Sequence, residues 1–397
     1  MKKALLVTRV SGFVPQFEMN NVKILQEMGY EVHYAANFNV IVYGNDNHRL
    51  DNTGIVCHSI PFPRSPFSKE VKKSFQALTN LLLEESFDLV HCHMPLSGVV
   101  ARRAVKKAEH ILNRKIPVMY TAHGFHFYEG APLRNWCYYP VERHLARMTD
   151  RLIVINKEDY KRASKFPVRG SVEYIPGVGM NLPFFEKVEK GEDIRQKYDI
   201  PEDYKIVISV GELTKRKNHE LMLRAMAEVQ DLPIIYIICG SGPLEEYLLE
   251  LAKSLGIEKR VRFTGYVENV RQVLAQSDCF VFPSFQEGLP VAVMEAMAMG
   301  LPVIASRIRG ITDLVEHTKG GYLVQGFDPV DYSVKIRRIF TEKEGKSAVP
   351  RDVRRAQMGA WNQEKVKEFA LPVVDRQMRR IYQEVEKEYA IADGGSY

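Results

Sequence analysis

The sequence predicts an α/β fold in which two doubly wound domains, each built on a parallel sheet, follow one another along the chain. The 397 residues exceed what one hydrophobic core usually supports. Short β-rich runs alternate with helical patterns from end to end, which is typical of βα units and parallel sheets. The alternation pauses near residues 172–185 in a stretch rich in glycine and proline. We therefore place a domain boundary at 180/181 and expect a cleft between the domains.

The first domain, residues 1–180, contains the first series of strand-like runs. In chain order they are ALLVT, EVHYAA, IVCHSIP, DLVHCH, VMYTAH and RLIVIN. The opening segment, MKKALLVTRVSGF, has too short an apolar stretch for a signal peptide, with Arg9 inside it. We interpret it as a first buried strand.

The second domain, residues 181–372, contains the second series. Its runs are IVISV, IIYIIC, VRFTGY, CFVF and PVIA. The last pattern, Trp361 to Tyr389, is helical but contains Pro372, which breaks or kinks a helix. We predict that residues 373–397 return to the first domain as a helix and end in a frayed tail, IADGGSY.

Composition narrows the class of protein. The hydrophobic content of 45% and charged content of 26% are those of a soluble globular protein. The five cysteines are scattered and odd in number, so a reducing cytoplasm is expected. A net charge of +6 favours an anionic partner without naming one.

The segment SFQEGLPVAVMEAMAMG carries the most specific pattern, two glutamates eight positions apart around the start of a helix. Pro290 fits the first helical position, so Glu287, Gly288 and Leu289 form the approach and Glu295 lies on the helix. A helix N-terminus attracts phosphate, and a nucleotide-sugar has hydroxyls on both sides of a diphosphate. The alternative is a turn glutamate at 287 and a pairing of Glu295 with a buried arginine.

The turns after the strands of the second domain offer further donor contacts, because ligands collect at the carboxyl ends of parallel strands. The first turn, GELTKRKNH, begins at Gly211 and contains Arg216 and Lys217, which can stabilise a diphosphate leaving group. A solvated basic turn is the alternative. Gly240 allows close approach of the backbone, and Val267 follows a strand where backbone groups can meet a base.

In the first domain, His123 ends a strand and faces the predicted cleft. His91 and His93 share one face of another strand, but no acidic or cysteine partner follows at ligand spacing, so we predict no metal site there. The chain also lacks a DxD pair to hold a divalent ion on a diphosphate, so metal-independent chemistry is expected. The single glycine, Gly12, after the first strand argues against a nicotinamide dehydrogenase.

Basic residues gather in two other places, where an anionic cytoplasmic membrane surface would attract them. They are Arg64, Lys69, Lys72 and Lys73 in one segment, and Arg102, Arg103, Lys106 and Lys107 on one helix face. Solvated faces are the alternative. We predict no nucleic-acid partner.

Taken together, EGLPVAVMEAMAMGLPVIAS, VGELTKRKNH, the Gly240 turn, GYVENV and TAHGFHFYEGAP resemble the family 4 glycosyltransferases over nearly the whole chain. The similarity is greatest to bacterial members that build capsular, exopolysaccharide or cell-wall glycans. It implies the GT-B fold: two Rossmann-like domains, a donor site in the second, and a C-terminal helix that returns to the first.

The resemblance also implies roles for single residues. Glu287 matches the family glutamate that meets the donor sugar, Glu295 the one that meets the ribose, Lys217 the lysine on the diphosphate, and His123 the histidine beside the donor sugar. Many members have arginine where this chain has Glu212, and we assign Arg216 to that cationic role. The assigned sets are catalytic His123, Lys217 and Glu287; donor-binding Gly211, Arg216, Lys217, Gly240, Val267, Glu287, Gly288, Leu289, Pro290 and Glu295; and acceptor-binding Gly12, His93 and His126.

The resulting hypothesis is a retaining, metal-independent glycosyltransferase with no cofactor. It would transfer a hexose or N-acetylhexosamine from a nucleoside diphosphate donor, first of all a UDP-sugar, to a glycan or polyprenyl-linked acceptor. We expect it in the cytoplasm, peripherally at the inner face of the membrane. The alternatives are a nucleotide-sugar epimerase of the same fold and a non-catalytic nucleotide-sugar binding protein.

Overall fold

The protein, seen in a computed structural model, consists of two compact units. The structure describes residues 1–44, 46–187, 191–341 and 350–394. The first unit comprises Met1–Gly179 and the segment from Leu371 onward, and the second comprises Met180–Ala370. The boundaries predicted from the sequence lie at 180/181 and 372/373.

The first unit is built on a seven-stranded sheet in the order β3-β2-β1-β4-β5-β6-β7, with every neighbouring pair parallel. The strands are β1 Lys2–Val10, β2 Tyr30–Asn37, β3 Val56–Ser59, β4 Leu89–His93, β5 Val118–Ala122, β6 Arg151–Val154 and β7 Ser171–Tyr174. The central strands are mostly apolar and buried because helices cover both faces of such a sheet. Leu5, Val90, Val118 and Leu152 from four adjacent strands join one buried core.

Helices connect these strands and cover the sheet. They are α1 Phe13–Phe17, α2 Met19–Glu27, α3 Glu70–Glu84, α4 Pro95–Leu112, α5 Tyr138–Leu145 and α6 Lys157–Ala163. Helix α4 begins with Pro95, whose fixed φ suits a first helical turn, and ends at Asn113 in the left-handed conformation. Because all strands are parallel, the turns after β1, β4 and β5 meet at one edge of the sheet.

The second unit has a six-stranded parallel sheet in the order β10-β9-β8-β11-β12-β13. Its strands are β8 Lys205–Val210, β9 Ile234–Cys239, β10 Val261–Gly265, β11 Cys279–Phe282, β12 Val303–Ser306 and β13 Gly321–Val324. Its helices are α7 Pro183–Glu186, α8 Ile194–Lys197, α9 His219–Ala227, α10 Glu245–Ser254, α11 Val270–Leu274, α12 Val291–Ala298, α13 Ile311–Leu314, α14 Pro329–Phe340 and α15 Arg351–Lys365. Both sheets therefore have the doubly wound topology that the alternating pattern predicts.

The C-terminal helix belongs to the first unit, as predicted. Helix α16 spans Leu371–Gly394, so the helical pattern breaks just before Pro372, which lies in the first turn, where proline is tolerated. Helix α16 packs on α2, and the Tyr382 hydroxyl lies 2.8 Å from Nδ1 of His91. The predicted frayed tail is wrong for Ile391 to Gly394, which are helical; residues 395–397 lie outside the described residues.

Arg102 does not belong to the solvated basic face on which the sequence places it. Its side chain is 1% exposed, donates from Nη2 to Oε2 of Glu142 at 2.9 Å and lies over the ring of Tyr120. It is tolerated inside because an arginine that is paired and hydrogen-bonded recovers much of its desolvation cost. No helix in the described part of the chain is long and apolar enough to cross a bilayer.

Candidate active site

Three glycines line the carboxyl edge of the second unit's sheet, after β8, β9 and β10. The amide of Gly211 donates to the carbonyl of Cys239 at 2.9 Å, and the amide of Gly240 donates to the carbonyl of Gly265 at 2.8 Å. A Cβ at Gly240 would lie 2.0 Å from the carbonyl oxygen of Gly211. Only glycine therefore fits position 240, because the neighbouring turn leaves no space for a side chain. Val267 lies two residues past Gly265, between β10 and α11.

Glu287 forms ion pairs with two cations of the basic turn after β8. Its Oε1 lies 2.9 Å from Nζ of Lys217 and 2.6 Å from Nη1 of Arg216. The turn is tied to the same region through its backbone, because the amide of Phe285 donates to the carbonyl of Arg216 at 2.9 Å. The structure thus brings Glu287 together with two neighbouring cations that lie 70 and 71 positions before it in sequence.

Lys217 is the more buried of the two cations. Its side chain is 12% exposed, whereas that of Arg216 is 45% exposed, and its ammonium lies 4.4 Å from the centre of the Phe282 ring. Burial lowers the pKa of Lys217, and the Glu287 carboxylate opposes that effect. Two cations share one carboxylate, so the group carries a net charge of +1 and retains the capacity to bind an anion.

The turn that carries Glu287 leads directly into α12. Gly288 and Leu289 are followed by Pro290, which is the N-cap, and no side chain caps the first turn. The sequence placed proline at the first helical position; this is wrong by one residue, because Pro290 has a ψ of 116°, outside the helical range. Exposed amides at this end are suited to a phosphate.

Arg309, which was not among the predicted site residues, supports this turn. The residue is 5% exposed, and its Nε donates to the carbonyl of Glu287 at 3.0 Å. The next residue, Gly310, has a φ of 76°, and a Cβ there would lie 2.0 Å from the carbonyl oxygen of Gly288. The pair follows β12, so a search of every strand's carboxyl end would have found it.

Glu295, on α12, is in a different environment from Glu287. It is partly buried, and burial raises the pKa of its carboxyl to about 7. No residue of the described chain forms an ion pair with it, so the alternative in which Glu295 binds a buried arginine is wrong. Glu287 instead pairs with an arginine, the half-exposed Arg216.

In the first unit, Gly12 follows β1 and begins α1. A Cβ at this position would lie 1.7 Å from the carbonyl oxygen of Val42, so the residue is fixed as glycine by the neighbouring loop. Phe13 then packs against the rings of both His93 and His123, with centroid distances of 5.7 and 5.0 Å. The predicted residues Gly12, His93 and His123 therefore lie at one edge of this sheet.

Glu18 is a third polar residue at this place that the sequence reasoning missed. Its Oε1 lies 3.5 Å from Nδ1 of His93 and 3.5 Å from Nε2 of His123, and the two nitrogens are 3.3 Å apart. Burial raises the pKa of Glu18 to about 8 and lowers that of His123 to about 4. Glu18 precedes the histidines by more than 70 residues, so the search for a partner after them could not find it.

His126 lies apart from this cluster, on the loop after β5. Its ring packs against Tyr138 with a centroid distance of 4.7 Å, and its carbonyl accepts a hydrogen bond from Nδ2 of Asn135 at 3.0 Å. These contacts hold the loop after β5 in place. Its acceptor-binding role stays a prediction.

Known proteins match both units. Residues 19–177 match the family described as "Glycosyl transferase 4-like domain", and residues 190–355 match "Glycosyl transferases group 1". The glycosyltransferase EpsD of Bacillus subtilis is 33% identical over 350 residues, which cover 86% of this chain and 88% of that protein. The chain belongs to the family 4 glycosyltransferases of GT-B fold.

Two further comparisons place this glycosyltransferase among its relatives. The Escherichia coli protein named UDP-Gal:alpha-D-GlcNAc-diphosphoundecaprenol alpha-1,3-galactosyltransferase is 30% identical over 284 residues, covering 68% of this chain and 71% of that protein. The Anabaena protein Alr3699/HepE, solved in complex with UDP and glucose, aligns with a TM-score of 0.71 at 18% identity, covering 97% and 100% of the two chains. At that identity the second comparison bears on the fold alone.

Proposed function

We propose that this glycosyltransferase moves a hexose or N-acetylhexosamine, with retention of configuration, from a nucleoside diphosphate sugar to a glycan or polyprenyl-linked acceptor in cell-surface polysaccharide synthesis. A UDP-sugar is the proposed donor. The observation that carries the proposal is the convergence of Lys217 and Arg216 on Glu287, one turn before the uncapped end of α12. The name of the Escherichia coli relative supports it, since that name contains UDP-Gal and diphosphoundecaprenol.

In this proposal the second domain binds the donor. The diphosphate lies against Lys217, Arg216 and the amides at the start of α12, and the glycine backbone at Gly211 and Gly240 permits its close approach. Glu295 receives the ribose hydroxyls, and backbone groups near Val267 meet the base. Gly288, Leu289 and Pro290 shape the turn that positions Glu287 against the donor sugar.

The proposed reaction breaks the bond between the sugar's anomeric carbon and the diphosphate oxygen, and the electron pair leaves with the nucleoside diphosphate. The acceptor oxygen forms its bond on the same face, and its proton passes to the departing phosphate. Lys217 and Arg216 stabilise the developing negative charge, so no divalent ion on the diphosphate is required. Glu287 binds the donor sugar's hydroxyls close to the reacting carbon.

The first domain binds the acceptor in this proposal, through Gly12, His93 and His126, and presents His123 to the donor sugar. Since burial lowers the pKa of His123 to about 4, its imidazole is neutral at pH 7 and acts as a hydrogen-bonding group. The proposed setting is the cytoplasm, at the inner membrane face, where a lipid-linked acceptor is presented.

Turnover of UDP-sugars with a lipid-linked glycan acceptor tests the proposal. We expect Lys217→Ala to lower kcat about 100-fold or more, because one preorganised charge aimed at the leaving group is lost. Lys215→Ala is the matched control, since that lysine is a neighbouring, exposed cation of the same turn. Near-wild-type turnover by the Lys217 variant would reject the assignment.

Two arms distinguish the alternatives. Incubation with donor alone converts the sugar if the protein is an epimerase, whereas a transferase releases nucleoside diphosphate only slowly. UDP binding without turnover on any acceptor would favour a binding protein. An NMR measurement of the product's anomeric configuration tests retention.

A further inference from the structure

We propose that Glu18, His93 and His123 of the first domain bind a zinc ion, with a fourth position open to water or to a substrate hydroxyl. The proposal does not require the transferase reaction, although it uses His93 and His123, to which the acceptor and donor-sugar contacts are also assigned. It concerns a site made wholly of first-domain residues and is separate from the expectation that no divalent ion binds the donor diphosphate.

The three facing atoms converge on one another, and the hydrogen bond among them, between the two histidine nitrogens, is long. Oε1 of Glu18 is 3.5 Å from each histidine nitrogen, and the two nitrogens are 3.3 Å apart. Hydrogen bonds from an N–H donor to an oxygen acceptor are about 2.7–3.2 Å long between the nitrogen and the oxygen. Glu18 is 2% exposed and His93 is fully buried, so water outside the protein does not satisfy them. Three buried polar atoms that converge with one long hydrogen bond among them are suited to hold an ion.

The separations match a tetrahedral zinc ion. Ligands bound to zinc at about 2.1 Å, at the tetrahedral angle, lie about 3.4 Å from one another. The observed triangle of 3.3, 3.5 and 3.5 Å has these dimensions. Two imidazoles and one glutamate, with an open fourth position, are also the ligand set of catalytic rather than structural zinc sites.

The ligands are held before any ion binds. Glu18 lies at the junction of α1 and α2, and its Oε2 accepts a hydrogen bond from Nδ2 of Asn21, which leaves Oε1 facing the histidines. His93 ends β4, and Phe13 packs against the rings of both His93 and His123. A second-shell hydrogen bond of the Asn21 kind commonly orients a metal ligand.

A small cavity borders two of the three ligands, Glu18 and His123. Its volume is about 10 Å³, and Glu18, Asn21, Thr121 and His123 are among its lining residues. This is close to the smallest space that holds one water molecule. The cavity therefore has room for a water molecule, which would be the fourth ligand beside the three protein groups.

A second cluster of two histidines and one glutamate in the same domain shows the contrast. Nδ1 of His33 is 2.8 Å from Nε2 of His58, and Nε2 of His33 is 2.6 Å from Oε1 of Glu31. His33 uses both ring nitrogens, so the three groups form a chain of hydrogen bonds and do not converge on one point. This cluster needs no ion and supplies a matched control.

Metal analysis of the full-length protein, purified without a histidine tag, tests the proposal. We expect about one equivalent of zinc per chain after dialysis. Isothermal titration of the apoprotein with zinc alone should show one binding site. Glu18→Gln and His93→Ala should each weaken it by at least about 100-fold, since loss of a direct ligand exceeds the 10–100-fold cost of losing a second-shell group. His58→Ala should bind as the wild type does.

Cobalt substitution keeps the test decisive if a variant fails to fold. Co²⁺ in the wild-type protein should show the intense visible ligand-field bands of a tetrahedral site, without sulfur-to-cobalt charge transfer in the ultraviolet. The absence of those bands, binding through cysteine thiolates only, or zinc uptake that Glu18→Gln leaves unchanged would each overturn the proposal.

Discussion

Replacing Glu287 with glutamine should have opposite effects on nucleotide binding and on turnover. The substitution keeps the size of the side chain but removes the negative charge that Lys217 and Arg216 share. UDP has a diphosphate but no donor sugar, so its binding reports the charge of the site alone. A UDP-sugar additionally needs the contact that we assign to Glu287 with the sugar hydroxyls.

The size of the effect follows from the geometry. A phosphate that contacts Lys217 would lie about 6 Å from the Glu287 carboxylate, and one unit charge at that distance costs about 3 kcal/mol at an effective dielectric constant near 20. Arg216 is nearly half exposed, so solvent screens much of this repulsion. A net gain of about 1 kcal/mol remains, which strengthens UDP binding by about 5-fold.

The assay is isothermal titration with UDP, with GDP and ADP in parallel, beside steady-state turnover of the UDP-sugar. Glu287→Gln should bind UDP about 5-fold more tightly and lose about 100-fold or more in kcat. Lys217→Ala should weaken UDP binding. Glu220→Gln is the control, because Glu220 pairs with Arg224 on the surface of the same domain.

Weaker UDP binding by Glu287→Gln would refute the electrostatic reasoning, since it would mean that the carboxylate organises the cations more than it repels the diphosphate. Unchanged turnover would refute the assignment of Glu287 to the donor sugar. The two failures are distinguishable because UDP binding and turnover are measured separately.

Three further predictions concern stability. Burial raises the folded-state pKa of Glu295 to about 7 from an ordinary 4.5. The contribution of Glu295 to folding stability is therefore complete below about pH 4.5 and is lost as the pH rises through 7. In urea unfolding, the wild type should lose about 2 kcal/mol of unfolding free energy relative to Glu295→Gln between about pH 5 and 8. Gly240→Ala should cost about 3 kcal/mol because its Cβ meets a carbonyl, whereas Gly256→Ala, with open space around it, should cost about 1 kcal/mol. Arg102→Ala should cost about 3–5 kcal/mol, because it leaves Glu142 buried without its partner, and adding Glu142→Gln should recover part of that loss.

The fold was predictable because its main signal is local. Apolar runs such as CFVF and IIYIIC coincide with β11 and β9, and βα alternation dictates parallel sheets. Strands β7 and β13 were missed. Each is four residues long and lies at a sheet edge. SVEY is only partly buried and carries little apolar pattern, whereas GYLV is buried and apolar but short.

The site was predictable where a motif lies at a strand's carboxyl end. Lys217 and Glu287 were each named from such a turn, and the structure adds that Lys217 and Arg216 both donate to Oε1 of Glu287. Contacts between distant elements were not predictable. Glu18 meets His93 only because β1 and β4 are neighbours in the sheet, and the helical position of Arg102 does not reveal that Glu142 lies opposite it.

The two glutamates of the motif differ in environment, and this difference bears on their proposed roles. Glu287 accepts hydrogen bonds from two cations, whereas burial raises the pKa of Glu295 to about 7. Glu287 must accept hydrogen bonds from the sugar next to the reacting carbon, and the fixed positive charges of Lys217 and Arg216 hold it in place for that role. A group that receives ribose hydroxyls gains most from being desolvated before the nucleotide arrives, because less hydration is then lost on binding. If Glu295 ionises when UDP binds, affinity should rise with pH through 7 in the wild type and less so in Glu295→Gln. Affinity measured against pH for the two proteins in parallel would separate the pH dependence that Glu295 causes from the pH dependence that the nucleotide causes.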